Sequence, residues 1–217
     1  MSQAKKITVE LKTEEEKKSA ARSNMFRSLA GAFNFLDRAF YDYIKRGEFF
    51  KDLAVLAEEL PYKVDVPEEL KSPGIEDFDE HASVYIRIFD AAPGGPPCSL
   101  YEGHHAQDRQ RVMAELIRFY DHFDLQLDQE QREFPDHISV ELEFMHYLTF
   151  KEAGSIHYGK DSLPYRRAQQ DFMERHLVAY TKKIMEKLNI MEPPQFFKSF
   201  FGFLERFISA DYSFLRA

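Results

Sequence analysis

Two short stretches hold the polar side chains best spaced to act together. The first is Phe134 to Phe150, FPDHISVELEFMHYLTF, in which Pro135, Asp136 and His137 end one element and open the next. Asp136 can accept the free amides of a helix N-terminus, where a negative side chain also suits the helix dipole. His137 and Glu141 stand four residues apart, so on a helix they share one face. Two readings follow: a capped helix with an exposed ion pair, or a polar cluster at a groove in which Asp136 or Glu141 receives an arginine. A carboxylate matches the planar donors of a guanidinium group. The second stretch is AAPGGPPCSLYEGHH, residues 91–105, with Tyr101 and Glu102 near its far end. Its three prolines and three glycines predict a long loop, the kind of segment that often carries function.

Catalytic chemistry finds less support. Two Glu-x-x-His spacings occur, Glu102 to His105 and Glu143 to His146. A carboxylate-bridged di-metal site in a helical bundle needs both on helices, with two further glutamates. The first spacing lies in the Pro/Gly loop. His-Glu-x-x-His is absent, and Gly94 and Gly95 lack the lysine and hydroxyl residue of a phosphate loop. Cys98 is the lone cysteine, so neither an internal disulfide nor a cysteine-based zinc site is expected. No basic residue adjoins it to make a nucleophilic thiolate. The expectation is no catalytic residue, no metal and no cofactor. A helical metalloprotein with His and Glu ligands is kept as the enzyme alternative, and a helical adaptor for another protein as the second.

The elements that position these residues read as helices. Thr13, with Glu16 three residues on, forms a capping-box signal. From there Met25, Leu29, Phe33, Leu36, Phe40 and Ile44 recur at helical spacing up to Gly47, with Gly31 marking either a close helix contact or a break. Further helices are expected over 49–60, 75–90 and 107–123. Others run from Pro135 to Ala153, where Gly154 stops the helix, from Leu163 to Leu188, and onward from Pro193 and Pro194. Residues 1–12 form a loosely ordered lead containing KITVELK, a short strand or arm. The fold class is therefore all-α: an irregular single-domain bundle of about seven or more helices over 13–217. The link from Leu125 to Glu133 is a candidate hinge for a domain-swapped homodimer.

With 44% hydrophobic and 30% charged residues, the 217-residue chain is of ordinary globular composition. It has 21 Phe and 11 Tyr but no Trp, and a net charge of −8. That balance argues against nucleic acid or an anionic membrane surface as partner. No apolar run approaches the roughly 18 residues of a membrane span, and the N-terminus lacks a signal-peptide core. A cytoplasmic location is expected.

The run from Phe119 to Leu148, FYDHFDLQLDQEQREFPDHISVELEFMHYL, resembles the TorD/DmsD/NarJ-type redox-enzyme maturation chaperones. PPCSLYEG upstream and QDFMERHL downstream, with Gln170, Phe172, His176 and Leu177, are similar to that family's segments in the same order. The resemblance implies an all-helical cytoplasmic chaperone for the catalytic subunit of a molybdopterin-dependent oxidoreductase. Such a chaperone binds the twin-arginine leader and holds back export until the molybdenum cofactor is inserted. It implies a leader-binding region at Tyr101, Glu102, Pro135, Asp136, His137 and Glu141. The PPCSLYEG form looks most like chaperones serving type II enzymes of the dimethyl sulfoxide reductase family. The chain departs from the pattern at Asp124, where the family often has glycine, and in having no tryptophan.

Overall fold

Thr13 opens the first helix: its hydroxyl accepts the Glu16 amide at 3.1 Å, while the Glu16 carboxylate accepts the Lys12 amide at 2.6 Å. The computed structural model describes residues 11–33, 35–91, 95–126 and 133–217. Most of the 1–12 lead with its KITVELK segment, and most of the Leu125–Glu133 hinge, therefore lie outside the described residues. The helices are α1 (Glu14–Gly31), α2 (Arg38–Lys45), α3 (Glu48–Glu59), α4 (Phe78–Tyr85), α5 (Arg109–His122), α6 (Ile138–His157), α7 (Leu163–Phe172), α8 (Val178–Met191) and α9 (Gln195–Arg216). No strand is present among the described residues, and the all-α expectation is met.

Of the two roles open to Gly31, the structure takes the break, so the run from Thr13 to Gly47 is two helices. It breaks after Gly31, and Asp37 caps α2 by accepting the Ala39 amide at 2.6 Å and the Phe40 amide at 3.1 Å. Glycine costs a helix about 1 kcal/mol, and the break gains a buried aromatic in return. Phe35, fully buried, packs edge-on against Phe40, Phe196, Phe197 and Phe200. Helix α6 in turn overruns the expected stop, passing through Gly154 as far as His157. Its last turn is held to α1, with His157 Nδ1 3.3 Å from the Glu16 carboxylate. The reversal comes instead at Gly159, whose φ of +63° suits a residue without a Cβ.

The core is built around α9, which buries Phe196, Phe197, Phe200, Phe201, Phe203, Leu204, Phe207 and Ile208 on successive turns. One charged pin crosses it. Arg22 of α1 is fully buried; its Nε donates to Asp211 of α9 at 2.5 Å and its terminal nitrogens to Glu152 of α6 at 3.0 Å and Gln169 of α7 at 2.6 Å. The Tyr62 hydroxyl also donates to Asp211, at 2.5 Å. Four helices are thereby locked in register through one guanidinium group.

Two π turns interrupt the helices, Ile86–Asp90 after α4 and Met173–Leu177 between α7 and α8. Such turns shift the side chains that follow by about 100° and recur at functional sites. Both border the two stretches singled out above.

Candidate functional site

The proline-rich loop and the lead into α6 lie side by side. Tyr101 and His137 form an isolated antiparallel bridge. The Glu102 amide donates to the Asp136 carbonyl at 2.8 Å, and the Ile138 amide to the Leu100 carbonyl at 3.0 Å. The Tyr120 hydroxyl of α5 donates to the Pro135 carbonyl at 2.9 Å. The six residues Tyr101, Glu102, Pro135, Asp136, His137 and Glu141 are thus brought to one place, but on two sides of that bridge.

Behind the bridge sit the acids. Asp136 is fully buried, and its Oδ2 accepts the Gly103 amide at 3.2 Å, with Arg109 Nε 3.7 Å away. It does not cap α6 as expected. His137 takes that position, with its Nδ1 accepting the Ser139 amide at 3.3 Å. A chain crossing from loop to helix at the bridge directs Asp136 inward and His137 outward, since neighbouring side chains in extended backbone point to opposite faces. Glu102 points inward as well, its Oε2 2.8 Å from His176 Nδ1 in the second π turn. Glu141 is fully buried, and neither of its carboxylate oxygens meets a hydrogen-bond partner among the described residues. The His137–Glu141 pair on one exposed face is therefore not formed. Burial, and then the charges of Glu102 and Asp136, hold the Glu141 carboxyl well above the usual carboxylate range.

In front of the bridge lies a groove of about 380 Å³. Its walls are aromatic: Phe33, Tyr85, Phe89 and Tyr101, with the His137 ring 4.9 Å from that of Tyr101 and 6.0 Å from that of Phe33. Leu36 and Leu100 add apolar surface, and three acids face it: Asp37, Asp90 and Glu133. Among the described residues its lining includes no lysine or arginine. The Tyr101 hydroxyl donates to Glu133, and His137 Nε2 stands 4.0 Å from the same carboxylate. Burial lowers the His137 pKa, against the pull of Glu133, Asp136 and Asp90. Its walls thus combine negative charge with aromatic surface.

Tyr101 and His137 line it; Glu102, Asp136 and Glu141 support it from behind; Pro135 sets the turn. Sequence reasoning missed Asp37, Asp90, Glu133, Phe33, Tyr85 and Phe89 as groove residues. Two of these had a local signal: Asp90 immediately precedes the Pro/Gly loop, and Glu133 stands two residues before Pro135. A larger cleft between α5 and α7, lined by Arg118, Arg167 and Arg175, touches none of the expected residues. Among the described residues, no group of three or more His, Cys, Asp or Glu is placed to hold a metal ion. Neither Glu-x-x-His spacing builds such a site. His105 Nε2 lies 2.7 Å from the Ser99 carbonyl, and His146 Nδ1 lies 2.8 Å from the Ser23 hydroxyl. Cys98 is buried, and its thiol pKa is pushed up to about 12 by burial, the reverse of what a nucleophile needs. No helix among the described residues is long and apolar enough to cross a membrane.

Comparison with known proteins bears on the same region. The family model for the nitrate reductase delta subunit matches residues 50–186, which include the loop, the bridge and both π turns. The chain is 41% identical over 106 residues to a selenate reductase assembly chaperone protein of Thauera selenatis, covering 48% of this chain and 55% of that one. It is 38% identical over 110 residues to a chlorate reductase assembly chaperone protein of Ideonella dechloratans, covering 50% and 57%. These two alignments span about half the length of the relatives. A third spans 89% of both chains, at 31% identity over 199 residues, with a perchlorate reductase assembly chaperone protein of Dechloromonas aromatica (strain RCB). Matched across more than half its length by the family model, and across most of it by a relative above 30% identity, this chain belongs to the nitrate reductase delta subunit family.

Proposed function

We propose that this protein is a cytoplasmic assembly chaperone for the catalytic subunit of a molybdopterin-dependent oxidoreductase, and that its acidic aromatic groove takes the twin-arginine leader of that subunit. The observation that carries the reading is the groove itself. Asp37, Asp90 and Glu133 stand beside Phe33, Tyr85, Phe89 and Tyr101 with no lining cation among the described residues. A leader of this kind joins a pair of arginines to an apolar stretch. Guanidinium groups seek carboxylates, and also stack on aromatic faces. The apolar stretch gains by leaving water for the aromatic walls.

Relatives named as assembly chaperones for selenate, chlorate and perchlorate reductases support a client of that class. The work requires binding and release without covalent chemistry, so no catalytic residue and no resident cofactor is assigned. Holding a leader back until its subunit carries its cofactor requires the chaperone to meet that subunit before export, hence the cytoplasmic assignment. Recovery of the tagged protein from its native cell under molybdate-replete growth tests the reading. The expected partner is an oxidoreductase catalytic subunit with its leader uncleaved. Recovery of the exported, leader-free enzyme, or of no such subunit, contradicts it.

A further inference from the structure

Leader binding in the groove leaves one buried group without a task. Glu141, on the first turn of α6, is fully buried with both oxygens unpartnered among the described residues. A lone apolar side chain would fill the same space without the desolvation cost of a carboxyl group. Its surroundings come from every element packed behind the groove wall. Glu102 acts on it from the loop and Asp136 from the lead into α6. The Tyr120 and Tyr180 hydroxyls, from α5 and α8, are held protonated by burial, with the neighbouring acids acting in the same direction. His176 bonds Glu102 Oε2 from the second π turn, and Arg109 approaches Asp136 from α5. Glu102 and Asp136 are the same two residues whose backbones join at the bridge.

We propose that Glu141 is a positioning residue for the groove: carrying its proton, it lets Glu102 and Asp136 hold the Tyr101 segment against α6, and on losing it, it loosens that wall. A third negative charge beside two buried acids is unfavourable in a low-dielectric interior. The cluster relieves it where the structure is least continuous, at a one-residue bridge rather than within α6 or α8. Tyr101 then loses its place opposite His137, and the groove loses one aromatic wall. The device thus ties leader affinity to proton activity, a consequence that rests on the groove being the leader site.

Amide hydrogen exchange of the peptide-free protein at pH 6 and pH 8.5, corrected for intrinsic exchange, tests it in the wild type and in Glu141→Gln. Leader-peptide affinity is measured alongside. In the wild type, protection of the Glu102 and Ile138 amides is expected to fall by about tenfold or more relative to α9 amides as pH rises, and to stay level in Glu141→Gln. Leader affinity is expected to fall in parallel in the wild type alone. Level protection in the wild type, or the same fall in both proteins, overturns the proposal. Should Glu141→Gln fail to fold, the wild-type profile decides by itself. Failure of the peptide to bind at either pH, with the exchange difference present, overturns the leader reading but leaves the wall-positioning role supported.

Discussion

Tyr101 and His137 face each other across a single antiparallel bridge, their rings 4.9 Å apart, and divide the region into a groove and a buried acid cluster. Everything proposed for this protein depends on that division. The bridge turns Asp136 and Glu102 towards the buried acid cluster and Tyr101 and His137 towards the groove. A residue that strengthens or breaks the bridge therefore alters both sides at once.

Gly103 is the residue most exposed to such a test. A Cβ there would come within 2.8 Å of Asp136 Oδ2 and 2.4 Å of the Arg109 side chain. Arg109 is half-exposed and can swing aside, but the Asp136 carboxylate is fully buried and cannot. Gly103→Ala is expected to cost about 1–3 kcal/mol, measured by urea unfolding. Gly154→Ala serves as the control, since a Cβ at Gly154 meets nothing within 4 Å and sits in a helix. It should be neutral or stabilising by up to about 1 kcal/mol.

Removing the charged pin should be costlier. Arg22→Ala leaves Asp211 buried without its cation and Glu152 with only Arg166 at 3.7 Å, at an expected cost of about 3–5 kcal/mol. In an Asp211→Asn background the same change should cost less, because one uncompensated charge is already gone. Equal costs in the two backgrounds, read by thermal unfolding, would show that Arg22 acts through packing alone.

Stability should be bounded on both sides of neutral pH. His81 is fully buried among Tyr41, Phe35 and Phe197, and burial lowers its pKa to about 4. The unfolded chain binds that proton near pH 6.5 while the fold does not, so stability falls as pH drops from 6.5 towards 4. The loss by pH 5 should be about 1–2 kcal/mol. Glu141 acts in the opposite sense. Its carboxyl keeps its proton in the fold at pH values where the unfolded chain has lost it, so stability falls as pH rises above the ordinary carboxylate range. Unfolding of His81→Leu across pH 4.5–8 should show a shallower acid-side slope, the remainder coming from His105, His137 and His146, whose pKa values burial also lowers, and should keep the alkaline one.

Asp124 tests the departure from the resembled family just before the link. It adopts φ +55° just after α5, a left-handed conformation that costs an L residue about 1 kcal/mol relative to glycine. Asp124→Gly is expected to raise stability by up to that amount in chemical unfolding.

The helices were legible where periodicity and caps agreed, as with Thr13 and Glu16. They were left open at Gly31 and misread at Gly154, where one residue was made to decide a boundary. Gly31 broke a helix because Asp37 capped the next one and Phe35 had a core to enter. Gly154 broke nothing because α6 was still packed on α1. At the site, Tyr101 and His137 were legible as a pair of interest, but the sides of the bridge were not. Nothing in the spacing of Asp136, His137 and Glu141 says that a one-residue bridge to the loop will turn the carboxylates inward. Asp37, Phe33 and Phe89 reach the groove from segments far away in sequence, through the break after α1 and the first π turn. Such convergence is a tertiary fact with no local signature.

The central claim is that the groove in front of the bridge binds the twin-arginine leader through its exposed carboxylates. Titration calorimetry of a synthetic leader against the wild type, Asp90→Asn/Glu133→Gln and Leu163→Ser tests it most directly. Leu163 is an exposed residue of α7 outside the groove. Saturable binding to the wild type and unchanged binding to Leu163→Ser are expected. The doubly neutralised groove should bind about tenfold or more weakly, with a smaller dependence on salt. Equal affinity for all three folded proteins would contradict it.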